Sequence, residues 1–121
     1  MADLLIVEDD FTLADTLSDW FAIAAHTVEL AHTGSDGLAK MQEKEYDLVL
    51  LDWQLPNLQG IEVCKQYRTA GGASPILMFT GMKDPAYQEE ALDAGADDVL
   101  PKPFDITQLD ERVRVLLAMK K

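Results

Sequence analysis

Short apolar runs alternate with amphipathic segments along the chain, and this alternation restricts the fold more than any other feature. Five runs predict strands, at Leu4–Val7, Thr27–Ala31, Tyr46–Leu51, Pro75–Phe79 and Asp98–Leu100. Five segments predict helices, the first through Leu13, Leu17, Phe21 and Ala24, then Ser35–Glu43 with Ser35 near its cap, Ile61–Arg68, Asp84–Ala94 and Asp105–Met119. Strict alternation of this kind predicts an α/β fold, a doubly wound five-stranded parallel sheet with helices on both faces.

Length, charge and cysteine content narrow the class of protein. The 121 residues, 48% of them apolar, suit one compact domain over residues 1–121. Acidic residues outnumber basic ones by 22 to 10, so we expect this domain to repel a phosphate backbone and to bind no nucleic acid. We also expect no signal peptide and no membrane span. The single cysteine, Cys64, predicts a small core residue in a reducing cytoplasm.

Polar residues follow four of the predicted strands, at the point where each strand ends. The first strand ends at Glu8 and Asp9, the third at Asp52, the fourth at Thr80 and the fifth at Lys102. Each of them alone is typical of a helix cap, a turn or a surface charge. Since function in open parallel sheets collects beyond the carboxyl ends of the strands, their convergence predicts a site at this edge.

The residue types at this edge favour phosphoryl chemistry. Clustered carboxylates repel each other, and they either take up protons or bind a cation. All-oxygen ligands with water in the shell suit Mg²⁺. Lys102 and the hydroxyl of Thr80 would complete a cage for a phosphoryl group. Asp52 would then be a nucleophile, because a carboxylate can carry an acyl phosphate.

Four motifs match one family over essentially the whole chain: LLIVEDD, YDLVLLDWQLPNLQG, PILMFTG and GADDVLPKPF. On these motifs the chain resembles the receiver domains of bacterial two-component response regulators. LDWQLP and GADDVLPKPF are similar to receivers that precede winged-helix DNA-binding domains and regulate transcription. The resemblance implies a flavodoxin-like fold with strand order 2-1-3-4-5. It also implies a cytoplasmic phosphorelay protein that accepts a phosphoryl group from a histidine kinase or phosphotransfer protein. Such a protein is not an enzyme beyond its own phosphotransfer and autodephosphorylation.

The resemblance also assigns the roles of the site residues. The implied Mg²⁺ ligands are Glu8 (through water), Asp9, Asp52 and the backbone carbonyl of Gln54. The implied catalytic residues are the phosphoacceptor Asp52, the switch hydroxyl of Thr80, and Lys102, which pairs with the phosphoryl group. A cis peptide bond is expected at Lys102-Pro103.

Two positions depart from the family pattern. Val99 stands where an aromatic ring is usual, and Gln88 stands on the fourth helix where the winged-helix subset tends to have a basic residue. Because Val99 is small and stiff, it would not follow the switch hydroxyl as a ring does. We therefore expect at most a weak homodimer through helix four, strand five and helix five.

Other classes of protein fit less well. A flavodoxin-like electron carrier would need a phosphate loop where Glu8 and Asp9 stand, and these acids would repel a flavin phosphate. An aspartate-nucleophile phosphatase usually carries a second acid where Gln54 stands. A receiver-like interaction module that is not phosphorylated in its signalling role is the remaining alternative.

The tryptophans and histidines are expected to be structural. Trp53 should be half-buried beside the acceptor, and Trp20 should face the core or lie at a helix end. His26 and His32 show no partner pattern.

Overall fold

Strands and helices alternate strictly in the structure, a computed structural model that describes residues 1–82 and 84–119. The elements are β1 (Asp3–Val7), α1 (Phe11–Ile23), β2 (Thr27–Ala31), α2 (Gly34–Glu43), β3 (Leu48–Asp52), α3 (Gly60–Thr69), β4 (Ile76–Thr80), α4 (Pro85–Asp93), β5 (Asp98–Pro101) and α5 (Ile106–Met119). Each predicted element is present, and the predicted bounds lie within two residues of the observed ones. The largest shift is at β3, which begins at Leu48, two residues later than predicted, and includes Asp52 as its last residue.

The five strands form one parallel sheet in the order β2-β1-β3-β4-β5, which confirms the predicted topology. Val7 on β1 is level with Leu51 on β3, and Asp52 is level with Phe79 on β4. The carboxyl ends of β1, β3 and β4 therefore meet at one edge, and the residues that follow them lie side by side.

The core has two layers, one on each face of the sheet. Alternate residues of a strand enter opposite layers, so Leu5 and Leu51 pack with α2 and α3, whereas Leu4 and Leu50 pack with α1 and α5. Leu48–Leu51 is fully buried, as expected for a central parallel strand. Cys64 is fully buried too, which confirms its predicted place in the core.

Side-chain caps and a glycine define several helix ends. Asp10 caps α1 by accepting a hydrogen bond from the Leu13 amide at 3.1 Å. The cap of α2 is Thr33, whose hydroxyl accepts from the Asp36 amide, and Ser35 lies two residues beyond it, near the cap as expected. Extended backbone reaches Thr33, and Ser35 already lies inside the helix. Gly95 follows α4 with a φ of +114°, a conformation that favours glycine.

The two tryptophans differ in burial. Trp53 is only 5% exposed, and its ring meets that of Tyr87 on α4 edge-on at 5.7 Å between centroids. Trp20 is 42% exposed near the end of α1, where its indole nitrogen donates to Asp110 on α5 at 3.4 Å. The prediction of a half-buried Trp53 was therefore wrong, and Trp20 lies at a helix end.

None of the helices in the described part of the chain is long and apolar enough to cross a lipid bilayer.

Gly60 allows α3 to begin directly against the end of β3. A Cβ atom at this position would lie 2.1 Å from the backbone oxygen of Asp52, and the Gly60 amide donates to Trp53 O at 2.8 Å. We expect Gly60→Ala to lower the free energy of unfolding by about 1–3 kcal/mol, because backbone on both sides must shift. Urea unfolding followed by circular dichroism measures this.

Gly81→Ala is the matched control, because nothing lies within 4 Å of a Cβ atom there and no positive φ is required. Its free energy of unfolding should equal or slightly exceed that of the parent. Equal stability of Gly60→Ala and Gly81→Ala would contradict the close approach of α3 to β3.

Candidate functional site

Three acids lie together at the carboxyl edge of the sheet. Glu8 follows β1 and is fully buried, Asp52 ends β3 and is 5% exposed, and Asp9 is exposed at the start of the turn to α1. One carboxylate oxygen from each lies within 4.8 Å of the other two. This follows from the register, since Val7 and Leu51 are level and the next residues, Glu8 and Asp52, must be neighbours.

Lys102 contacts two of these acids. Its Nζ atom lies 2.8 Å from Glu8 Oε1 and 3.3 Å from Asp52 Oδ2. Its backbone amide donates to the Thr80 carbonyl at 2.7 Å, which places the residue across the end of β4. The Lys102-Pro103 bond is cis, as predicted. The structure therefore sets one ammonium group between two buried carboxylates.

Thr80 and Gln54 occupy the rest of the edge. Thr80 is fully buried at the end of β4, and its hydroxyl accepts from the Met82 amide at 3.0 Å. Gln54 lies two residues beyond Asp52 with an exposed side chain. The ligand role of its backbone carbonyl and the switch role of Thr80 stay predictions.

Burial dominates the electrostatics of the two inner acids. Desolvation raises the pKa of Glu8 to about 7. The hydrogen bond from Lys102 lowers this pKa, and the negative charge of Asp52 raises it. Burial also raises the pKa of Asp52, although the positive charge of Lys102 opposes the shift. Both groups therefore hold protons more strongly than a carboxyl group in water. A positive charge at this edge would favour the ionised forms.

Lys102 stays charged despite its burial. Desolvation alone would lower its pKa, but the hydrogen bond to Glu8 and the charges of Asp52 and Glu8 reverse the shift, and its pKa is raised. Within the described residues, the ionised cluster sets the ammonium group of Lys102 against three carboxylates, two of which it contacts. The cluster then carries excess negative charge, which is the condition for binding a further cation.

His32 was missed as a contributor to this edge. Its Nδ1 atom lies 2.9 Å from the backbone oxygen of Glu8, and its ring centroid lies 4.0 Å from that of Phe11. His32 is the first residue beyond β2. Its position directly after a strand is the sequence signal that points to it, as for the polar residues that follow the other four strands.

The raised pKa of Glu8 predicts how stability changes with pH in metal-free buffer. The unfolded group has a pKa near 4.5 and the folded group about 7, so the native state binds the proton more strongly between these values. The stability that this proton contributes is complete below pH 4.5 and is lost as the pH rises through 7. In the parent protein, the free energy of unfolding should therefore fall by on the order of 3 kcal/mol at most between pH 5 and pH 8. We expect Glu8→Gln to lack this fall.

Urea unfolding in EDTA at several pH values measures this difference. Burial lowers the pKa of His26, so this group makes the free energy of unfolding rise with pH. The effect is the same in the parent and in Glu8→Gln and cancels in the comparison. Glu89→Gln, an exposed change on α4, is the control and should follow the parent. Parallel curves for the parent and Glu8→Gln would contradict the buried carboxyl group at position 8.

The chain is similar to known proteins of one family. The model of the response regulator receiver domain matches residues 4–114. Response regulator MprA of Mycobacterium ulcerans is 40% identical over 118 residues, which are 98% of this chain and 51% of that protein. MprA of Mycobacterium avium is 39% identical over 118 residues, 98% of this chain and 52% of that protein. The chain thus spans about half the length of these relatives.

Solved structures show the same architecture. The receiver domain of Francisella response regulator 1452 superimposes with a TM-score of 0.93 at 28% identity, and the match covers 98% of each chain. The chemotaxis protein CheY4 of Vibrio cholerae superimposes with a TM-score of 0.88 at 30% identity, over 96% of this chain and 98% of that one. On the family match and these similarities, the chain belongs to the response regulator receiver domain family.

Proposed function

We propose that residues 1–121 act as one receiver domain whose phosphoacceptor is Asp52. The observation that carries this proposal is the position of Asp52, a buried acid at the end of the central strand with the Lys102 ammonium 3.3 Å from its Oδ2 atom. A purely structural acid would need one partner, whereas this one shares its cation with a second buried acid. The arrangement suits a carboxylate that is modified.

The proposed reaction is a phosphoryl transfer to a carboxylate oxygen. An Asp52 oxygen attacks phosphorus, an O–P bond forms, and the P–N bond of a donor phosphohistidine breaks, with a proton going to the departing imidazole. Lys102 is close enough to pair with a phosphoryl oxygen. Water later attacks the same phosphorus, which releases phosphate and restores the carboxylate. The domain would catalyse both steps itself, and its own Asp52 is the group that is modified.

The donor set fits Mg²⁺. Carboxylate oxygens from Glu8, Asp9 and Asp52 converge within 4.8 Å, and hard oxygen ligands few in number suit this ion. Asp9 is exposed, and Asp52 contacts Lys102 through Oδ2, which leaves its other carboxylate oxygen for the metal ion. These two residues are the proposed direct ligands. Glu8 is proposed to act through water, and Gln54 through its backbone carbonyl. Bound there, Mg²⁺ would neutralise charge on the incoming phosphoryl group.

The wider pathway is proposed from the resemblance and from the relatives. Those relatives are named response regulators, and they are about twice as long as this chain. We propose a cytoplasmic two-component system in which a histidine kinase or phosphotransfer protein supplies the phosphoryl group. We also propose transcriptional control as the output, with no contact to nucleic acid or membrane by this domain, whose charge is −12.

Phosphorylation in vitro tests the proposal directly. Incubation with phosphoramidate and Mg²⁺ should add one phosphoryl group, seen by intact-mass spectrometry and lost in hydroxylamine. Asp52→Asn should abolish the addition, because an amide oxygen is a poor nucleophile, and EDTA should prevent it.

Asp93→Asn, an exposed change at the end of α4, is the control and should be labelled like the parent. Labelling of Asp52→Asn, or labelling of the parent in EDTA, would contradict the assignment. No labelling of the parent would favour the alternative of an interaction module that is not phosphorylated.

The face made by α4, β5 and α5 is proposed to dimerise only weakly. Val99 is 6% exposed on β5 and carries no ring that could change position. Asp98 pairs within the chain, since Arg112 Nη1 lies 2.9 Å from its Oδ2 atom, and Asp97 is bound by Arg68 at 3.0 Å. These charges are already satisfied, and exposed ion pairs between copies would contribute only about 0–1 kcal/mol each.

Sedimentation with and without beryllofluoride, a phosphoryl mimic, measures the coupling. We expect the parent to stay largely monomeric in both conditions, and Val99→Tyr to dimerise more with the mimic. Val99→Leu is the control, because it adds volume without a ring. A tight dimer of the parent that forms only with the mimic would show that Val99 does not limit the switch.

A further inference from the structure

We propose that His32 is a positioning residue for the acidic turn at residues 8–10, acting through the backbone of Glu8 on the geometry of the metal ligands. This inference rests on the proposed Mg²⁺ site and adds to it the residue that directly follows β2. The residues that carry it are His32, Phe11 and Asp10.

Both backbone groups of Glu8 are bonded to the end of β2. The Glu8 amide donates to the Ala31 carbonyl at 2.9 Å, and the Glu8 carbonyl faces Nδ1 of His32 at 2.9 Å. A carbonyl oxygen can only accept, so Nδ1 must carry the proton. The imidazole therefore extends the β1–β2 pairing by one residue, with a side chain in place of a backbone amide.

Asp10 fixes the other end of the turn. Its amide donates to Glu8 Oε2 at 3.2 Å, and its carboxylate caps α1 through the Leu13 amide at 3.1 Å. Asp9 lies between these two anchors, exposed at the site. Its direction is thus set by the backbone of Glu8 on one side and by the start of α1 on the other.

Phe11 secures the imidazole. It is 61% exposed at the first position of α1, and it packs on His32 with 4.0 Å between ring centroids and a tilt of 42°. The contact links the end of β2 to the start of α1 over the acidic turn. The exposed ring thus has a function in holding His32 against the Glu8 carbonyl.

Loss of this anchor should weaken Mg²⁺ binding more than it weakens the fold. Groups that hold metal ligands in place change metal affinity by about 10–100-fold when removed, and a bond to the ligand's backbone should lie near the lower end. The central core stays intact, since β1 is held by β2 and β3 along its whole length.

The test is a Mg²⁺ titration followed by fluorescence of Trp53, which directly follows Asp52, in a Trp20→Phe background that leaves it as the one tryptophan. His32→Asn keeps a donor near the Nδ1 position, whereas His32→Gln places its donor farther out and His32→Ala has none. We expect His32→Asn to bind Mg²⁺ like the parent, His32→Gln and His32→Ala to bind about tenfold more weakly, and Phe11→Leu to fall between them.

Urea unfolding in EDTA separates positioning from stability. Equal Mg²⁺ affinity of His32→Gln and the parent would overturn the inference, and so would equal weakening by His32→Asn and His32→Gln. Affinity losses that merely follow losses of stability in EDTA would also overturn it. If His32→Ala fails to fold, the comparison of His32→Asn with His32→Gln decides. A parent that neither binds Mg²⁺ nor becomes phosphorylated would instead overturn the proposed function.

Discussion

The hydrogen-bonded ion pairs of Lys102 with Glu8 and Asp52 are the interaction on which the site depends. Two carboxylates that are nearly or fully buried would be strongly destabilising without this ammonium group, and breaking such a pair costs about 3–5 kcal/mol. The fold accepts the arrangement because β1, β3 and β5 are anchored in a continuous sheet that fixes all three residues. The stability of the core thus offsets the unfavourable free energy of placing like charges close together.

That concentration of charge links structure to the proposed chemistry. Among the described residues, the charge of Lys102 does not balance that of three carboxylates, so the cluster can bind a metal ion. A bound metal ion would in turn weaken the ion pair between Lys102 and Asp52. The same lysine is then available to an incoming phosphoryl oxygen. In the proposed arrangement, His32 beyond β2 and Phe11 on α1 add rigidity, so that residues at the ends of all five strands shape the edge.

The fold was predictable from sequence because each element carries its own local signal. Leu48–Leu51 is an uninterrupted apolar run, and Gly95 marks the end of α4. The site followed from a topological rule, since residues after adjacent parallel strands must meet. The burial of Trp53 and the ring contact of His32 were not predictable in the same way, because each depends on a side chain from a distant element, Tyr87 on α4 for Trp53 and Phe11 on α1 for His32.

The most direct test of the central interaction is a ¹³C NMR titration of the carboxyl groups of Glu8 and Asp52 in metal-free protein. We expect the pKa of Glu8 to be about 7, well above its ordinary value, because burial outweighs the hydrogen bond from Lys102. We also expect Mg²⁺ to lower this midpoint, because the ion favours the ionised carboxylate. A Glu8 midpoint near 4.5 that does not respond to Mg²⁺ would show that Glu8 is not held as a buried partner of Lys102.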